Sequence, residues 1–507
     1  MKSEIDGLLS QGTWDLVDLP VGRKAIKCKW VYKLKLDKNG DVERYKARLV
    51  AKGFTQVQGI DYEDTFAPVT RLESWRYLVT LAAILDWEIH QIDFDCAYLN
   101  GVLDEELYME QPEGFMVIAG KVCHLRKAIY GLKQAGRQWF LMLRACLKEL
   151  GFVCHDTGDI SIFVHRRQGG PLKILVVYVD DLTMMGNSLD LITRTKEALK
   201  GKFQLKDLGE LKHYLGIHIT WDRGSKLIYL DQEVYINSVL KRFGYKNCNP
   251  VDTPLASGIQ LEKNEENLAS CPPDRVHLYR SLLGLLMYAS LGTRPDITFA
   301  VARLCQYQSN PSTIHVAAAQ RVLKYLHGTV HLQLCLGHDS EYGDVLVGYT
   351  DADFAGDKDN SVSTSGWAYF LGRSSICWSS RKQRSVAGDT FSTEYFAADE
   401  ACKQLKWLEI FAEQIEHPLK LPVVLHCDNK SAVNASRSPH VKHRTKHICV
   451  RAHSVHECFE TGLVTLVRIP GVDNPADILT KPLPADAHAR HTATLGLVLY
   501  RLAKGEC

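Results

Sequence analysis

The stretch ILVVYVDDLTMMG, residues 174–186, sets an apolar, largely β-branched run directly against two adjacent carboxylates, Asp180 and Asp181. The run reads as a buried strand. A β-turn accommodates Asp-Asp, but two charges beside such a strand are costly unless something compensates them. A second acid occupies the same setting: in WEIHQIDFDCAYLNG, residues 87–101, Asp93 ends a short alternating strand. Folding these strands side by side would gather three carboxylates that repel and cannot all stay ionised. Divalent cations remove the conflict, since hard oxygen ligands suit Mg²⁺. Two such ions roughly 4 Å apart can activate a 3′ hydroxyl and stabilise a leaving oxygen in phosphoryl transfer. A lone Asp at a strand end is also an ordinary turn or helix cap, and Asp95, two residues on, is an alternative for the same face.

The last third repeats the theme. Asp351 ends DVLVGYT, Glu394 opens a predicted helix, Asp428 ends PVVLHC, and Asp477 lies in PADILT. Acids delivered from separate elements to one strand edge again fit a two-metal site, here with water as the nucleophile. The structural alternatives are a capping box around Ser392 that uses Glu394, an N-cap role for Asp477, and Asp353 as the ligand in place of Asp351. Two other metal readings fail on spacing. DADFAGDKDNSV, residues 351–362, starts like an EF-hand loop but has Ala355 and Val362 at ligand positions. HICVRAHSVHEC, residues 447–458, matches no zinc pattern and reads as an amphipathic helix whose histidines sit near a polyanion.

Around these motifs, 507 residues predict about three domains at roughly 150 residues each. A hydrophobic content of 46 % with 24 % charged residues is that of a folded globular chain. No apolar run approaches the roughly 20 residues that span a bilayer. The first residues lack a signal h-region, and 15 scattered cysteines then read as reduced thiols in an intracellular protein. The net charge of +2 conceals residues 21–52, where eleven Lys and Arg face three acids. Their alternation around DKNG predicts a basic β-hairpin, with Trp30, Tyr32 and Tyr45 interleaved as a phosphate-and-base surface would have them. A solvated surface hairpin is the alternative. Helices are expected over 72–86 and up to Gly151, and strands in ISIFVHR and 172–186, with a turn at QGGP. A boundary is expected near CNPVDTPL and packed helices over 256–340. From 344 three strands, a helix, a strand and a helix form an α/β unit.

YVDD after a hydrophobic strand resembles the reverse-transcriptase signature. Its companions KARLVAKGFTQVQGIDYEDTFAPVTRLES, HQIDFDCAYLNG, YMEQPEGF, YGLKQAGRQW, LYRSLLGLLMYASLGTRPDITFAV and YTDADFAGD resemble, in that order, the Ty1/copia class of long-terminal-repeat retrotransposons, from about residue 10 to 485. The resemblance implies a multidomain α/β and α+β chain: a right-hand polymerase of fingers and antiparallel palm over 10–255, a helical connection over 256–340, a ribonuclease H-like domain over 341–485, and a tail over 486–507. It implies that Asp93, Asp180 and Asp181 bind two Mg²⁺ ions, with Mn²⁺ able to substitute, and that Asp351, Glu394, Asp428 and Asp477 do so for RNA cleavage in a hybrid. Tyr98 would block a ribose 2′ hydroxyl, though it also suits ordinary core packing. Lys46, Arg48 and Lys52 would contact triphosphate or template, and Gln134 would close over the nucleotide. The family more often has Pro at Gly136 and Asp at Cys449. The implied partners are RNA template, DNA primer, RNA:DNA hybrid and dNTPs, with the element's integrase and capsid proteins. The implied setting is cytoplasmic, within virus-like particles where the full element is present. Nucleocapsid, protease and integrase motifs are not seen, so a processed product, a truncated element or a partial gene is expected. The contrasting reading is a catalytically silent relic that binds nucleic acid, which seven retained acids argue against.

Overall fold

The computed structural model describes residues 1–36, 42–165, 172–264, 271–338, 343–437 and 449–499. In it the run 174–177 is buried throughout, within the strand Lys173–Tyr178. An unbroken apolar run demands this, because a strand wet on one face would alternate. The sheet around it has six antiparallel strands in the order Leu205–Glu210, Glu88–Phe94, Asp181–Gly186, Lys173–Tyr178, Ile162–His165, Val153–Cys154. Helices Ala135–Glu149 and Leu189–Lys200 cover one face, where Trp139, Phe140, Leu143, Ile192 and Leu199 pack with Ile92, Phe94, Leu182 and Met184. Side chains alternate across a strand, so Asp93 and Asp181 belong to the opposite face.

The chain divides into two compact units, residues 1–70 with 88–210, and residues 71–87 with 211–507. The first also holds a sheet of Trp14–Val17, Val122–Lys127 and Val102–Met109, and the expected basic hairpin, Cys28–Leu36 paired with Val42–Ala51. The turns at DKNG and QGGP lie outside the described residues.

In the second unit the helix expected over 72–86 runs Leu72–Ile84 and is buried without a break from Ser74 to Ala83. Trp75 stacks on Tyr214 with centroids 4.5 Å apart, and Tyr77 meets Phe411 edge-on at 5.4 Å. Arg76 is tolerated there because it donates to the carbonyls of Ile376, Leu291 and Gly292 and lies 4.1 Å over the Trp378 ring. Helices Glu233–Phe243, Pro273–Gly292, Thr298–Cys305 and Thr313–Gly328 share one core. The strand Leu332–Gly337 follows within the stretch read as helical and joins a five-stranded sheet. The stretch read as a tail supplies a helix, Ala485–Thr494, and that sheet's edge strand, Leu497–Leu499. Three residues are too few for periodicity to reveal, and their pairing with Leu332–Leu334 is what makes them a strand.

The remaining sheet runs Ser374–Lys382, Thr364–Leu371, Leu346–Ala352, Val423–Cys427, Val464–Arg468. The first three are antiparallel, while Val423–Cys427 pairs parallel with Leu346–Ala352 and Val464–Arg468 parallel with it. Helix Thr390–Gln414 makes the crossover. The whole is the multidomain α/β and α+β architecture with an antiparallel palm-type sheet that the sequence implies. Among the described residues no helix is long and apolar enough to cross a membrane.

Candidate active sites

The first acidic site follows from strand register. Asp181 pairs directly with Asp93 on one side and with Tyr178 on the other. Val179 and Asp180 are thus the two-residue turn of a hairpin, and Val179 adopts φ +58°. A β-branched residue there is strained. Both turn carbonyls are held: Trp139 Nε1 donates to Val179 O at 2.6 Å, and the Phe94 backbone N–H donates to Asp180 O at 3.0 Å. The buried helix and the neighbouring strand therefore fix the acids. Trp139 itself is wedged edge-on against Phe94 and Phe203.

Opposed carboxylates in a sheet destabilise it, and their protons respond. Burial, then Asp180 and Asp93, pushes the Asp181 carboxyl up to about 6, against a 3.3 Å hydrogen bond from Gln91 Nε2. Asp93 is raised by burial and by Asp180, with Lys206 and Lys46 opposing. Lys206 stands directly across from Asp93 and binds Asp95 at 2.6 Å. Asp95, the alternative to Asp93, is thereby ion-paired, though its charge still adds to the upward push on Asp93.

The other expected contacts divide. Lys46 and Arg48 share one face of the hairpin strand, and their fields reach Asp93 and Tyr98 respectively. Arg48 lies 4.7 Å over the Tyr130 ring, which meets Tyr98 edge-on at 4.9 Å. Tyr98 is half-buried and feels Asp180. Lys52 follows the strand, its backbone N–H bound to Lys27 O at 2.7 Å. Gln134 does not face open space: it is fully buried, accepts from Gln56 Nε2 at 3.0 Å and donates to Asp61 O at 2.9 Å. It ties the 56–61 loop to the start of helix Ala135–Glu149. Of the hairpin aromatics, Trp30 packs on Phe115 and donates to Glu113 O, whereas Tyr32 and Tyr45 are exposed.

The second site sits where the strand order reverses, beyond the carboxyl ends of the parallel pair Leu346–Ala352 and Val423–Cys427, the usual place for a site in such sheets. Asp351 closes the first strand and Asp428 follows the second. Glu394 comes from helix Thr390–Gln414, whose N-cap is Asp389, accepting from the Ser392 N–H at 2.7 Å. The capping-box alternative for Glu394 is therefore wrong. Asn474, not Asp477, caps the short helix Pro475–Leu479, leaving the Asp477 carboxyl to the site. Asn474 also donates to Thr350 O at 2.9 Å, and Thr480 Oγ1 donates to Asp351 at 2.5 Å.

Here the proton affinities are more strongly perturbed. Burial, then Asp351 and Asp428, pushes Glu394 up to about 10, and one of its oxygens is buried with no hydrogen-bond partner. Asp477 is pushed up to about 7 by burial and then Asp351, with Lys481 opposing. Asp428 is raised by burial and Asp351. Among the described residues one group is spaced to hold a metal ion, Glu394, Cys427 and Asp428, with ligand atoms within 4.8 Å of one another. Burial drives the Cys427 thiol well up, which favours the neighbouring carboxylate oxygens over its sulfur as donors to a hard cation. Orphaned, crowded carboxylate oxygens are what a hard divalent cation fits. Asp353, the alternative ligand, accepts from the Thr364 N–H. The 447–458 cluster lies partly outside the described residues. In its described part His456 bonds Ser436 O and Cys458 faces the core.

Sequence reading missed several supporting residues. Lys206 lies on a strand whose register no motif announces. Lys481 lies four residues past Asp477, a spacing that was visible, and its Nζ reaches Asp477 at 3.0 Å. Gly366 pairs with Asp351 and leaves the room that segment 476–480 fills.

Known proteins resemble this chain along its length. The profile of the family described as "Reverse transcriptase (RNA-dependent DNA polymerase)" matches residues 11–257. The Retrovirus-related Pol polyprotein from transposon TNT 1-94 of Nicotiana tabacum is 41 % identical over 494 residues, 96 % of this chain and 36 % of that protein. The transposon Ty5-1 protein of Saccharomyces cerevisiae is 31 % identical over 318 residues, 62 % of this chain and 100 % of that protein. A solved foamy viral protease-reverse transcriptase in complex with RNA/DNA hybrid covers 93 % of this chain and 54 % of that one, at TM-score 0.48 and 13 % identity. The chain spans about a third of the length of the Pol polyproteins it matches. It belongs to the reverse-transcriptase family of Ty1/copia-type retrotransposon Pol polyproteins.

Proposed function

We propose that this chain is an RNA-directed DNA polymerase with a fused ribonuclease H: it extends a DNA primer on RNA, removes the copied RNA from the hybrid, and copies the DNA strand. The observation that carries the reading is the register of Asp181 on Asp93, with Asp180 in the clamped turn between strands. Mg²⁺, or Mn²⁺ in its place, bound by these acids and by Asp351, Glu394, Asp428 and Asp477 would activate the attacking hydroxyl or water and neutralise charge on the phosphoryl oxygens.

The chain's own residues hold and aim. Trp139 and Phe94 fix the Asp180 turn, Gln91 orients Asp181, and Lys206 keeps Asp95 engaged away from Asp93. Tyr98, braced by Tyr130, is a wall that a ribose 2′ hydroxyl would strike, favouring dNTPs. Lys46, Arg48 and Lys52 present positive charge to triphosphate or template, and Gln134 acts by holding its loop. In the region 341–485, Glu394 combines high proton affinity with an unsatisfied oxygen, which supports a role in holding a cation beside the scissile phosphate. We place the polymerase in 10–255 and the connection in 256–340. The integrase and capsid proteins of the element would be partners in a cytoplasmic virus-like particle.

Primer extension on poly(rA)/oligo(dT) with Mg²⁺ tests the polymerase. Asp180→Asn should abolish incorporation by the folded full chain, whereas a wild type that incorporates nothing is the silent relic. Glu394→Gln should stop release of labelled RNA from a hybrid while extension continues.

A further inference from the structure

The acids of the second site are not equivalent. Glu394 Oε2 and Asp477 Oδ1 are both buried with no hydrogen-bond partner, but of the two it is Asp477 that has an ammonium within ion-pair distance: Lys481 Nζ lies 3.0 Å from its Oδ1 and 3.8 Å from Asp351 Oδ2. The Lys481 side chain is 41 % exposed, against 14 % for Asp477 and 2 % for Asp351, so the cation is the partner with a path to solvent. It also lines a cavity of about 240 Å³ whose other charged residues are Asp353, Arg303 and Lys358, so the cavity offers its ammonium room but no unmatched counter-charge.

We propose that Lys481 is a resident cation that competes with metal. Its ammonium holds Asp351 and Asp477 together in the metal-free protein and withdraws toward solvent when a divalent ion takes those oxygens. The two halves of the site then bind metal unequally: Glu394–Asp428 is open to the first ion, and Asp351–Asp477 accepts a second only as Lys481 leaves. The inference rests on reading these four acids as a metal-dependent ribonuclease site. Its role is positioning and regulatory, since it acts through the ligands.

Mn²⁺ binding to the full chain, followed by the electron-spin signal of free Mn²⁺ in an Asp93→Asn/Asp181→Asn background that silences the first site, tests it. The background protein should show a tight and a weak class. Removing a unit charge a few ångströms from the weak position should tighten that class roughly tenfold in Lys481→Met and leave the tight class in place. Lys420→Met, the same charge change beside Asp344, should alter neither. Lys481→Gln carries the comparison if Lys481→Met does not fold. An unchanged or weaker second class in the Lys481 variants overturns the proposal. If Glu394→Gln and Asp428→Asn leave Mn²⁺ binding intact, the ribonuclease reading fails instead, whatever Lys481 does.

Discussion

Gly366→Ala tests the second site without touching an acid. Gly366 pairs with Asp351 in the sheet, and a Cβ added there would sit 2.7 Å from Thr480 Cγ2, 2.9 Å from Leu479 Cβ and 3.1 Å from Ala476 O. Carbon atoms rest at about 3.5–4.0 Å, so the segment must retreat by roughly 0.7 Å or more. That segment carries Asp477, the Thr480 hydroxyl bound to Asp351, and the approach to Lys481. Overpacking of this kind costs about 1–3 kcal/mol, which a chain of this size survives folded. A displacement near 1 Å at a reacting centre costs about a hundredfold. Release of labelled RNA from a hybrid should therefore fall by about two orders of magnitude, and primer extension by the same preparation should be nearly unchanged. Wild-type hybrid cleavage by the variant would refute the close approach as a requirement. Loss of both activities together, with a collapsed unfolding midpoint, would show that Gly366 serves the fold and not the site.

Asp181→Asn should stabilise the metal-free protein, and more at neutral than at acid pH. With the native carboxyl near 6 and the unfolded one near its ordinary value, the native state binds the extra proton, so this group's contribution falls as pH rises through that window. After allowance for its half-exposed position the gain is about 1–2 kcal/mol at neutral pH. Comparing unfolding midpoints of variant and wild type in EDTA cancels buried histidines such as His491, which titrate in the opposite sense. A difference that shrinks with rising pH contradicts the reasoning. Asp95→Asn should leave most primer extension in place, because Asp95 is already paired to Lys206, whereas Asp93→Asn should abolish it; equal losses would put Asp95 in the site. Trp139→Phe should cost about 1–3 kcal/mol by freeing the Val179 carbonyl, and should lower kcat for extension more than it raises KM, since the turn carries Asp180. An unchanged kcat with the stability loss present would separate the turn clamp from catalysis.

By itself the sequence determined most of the elements and the positions of the candidate acids. An apolar β-branched run is buried whatever surrounds it, so 174–177 had to be an interior strand, and acids at the ends of such runs are local facts that spacing and family resemblance both carry. The helix at 390–414 and the three strands before it were legible for the same reason. Tertiary structure decided what local pattern cannot encode. Register, a property of two strands, set Asp181 against Asp93 and Lys206 beside them, and put Asp95 in an ion pair with Lys206. Sequence placed a helix over 72–86 by its apolar spacing, but only packing buried it without a break from Ser74 to Ala83 and assigned it to the unit of residues 211–507. Gln134 looked like a nucleotide contact in its motif, yet burial with a satisfied amide makes it a loop tie. Lys481 and Gly366 acquire meaning only when the short helix Pro475–Leu479 folds against the sheet, because close approach and charge proximity are distances in space, and those arise from packing between elements far apart along the chain.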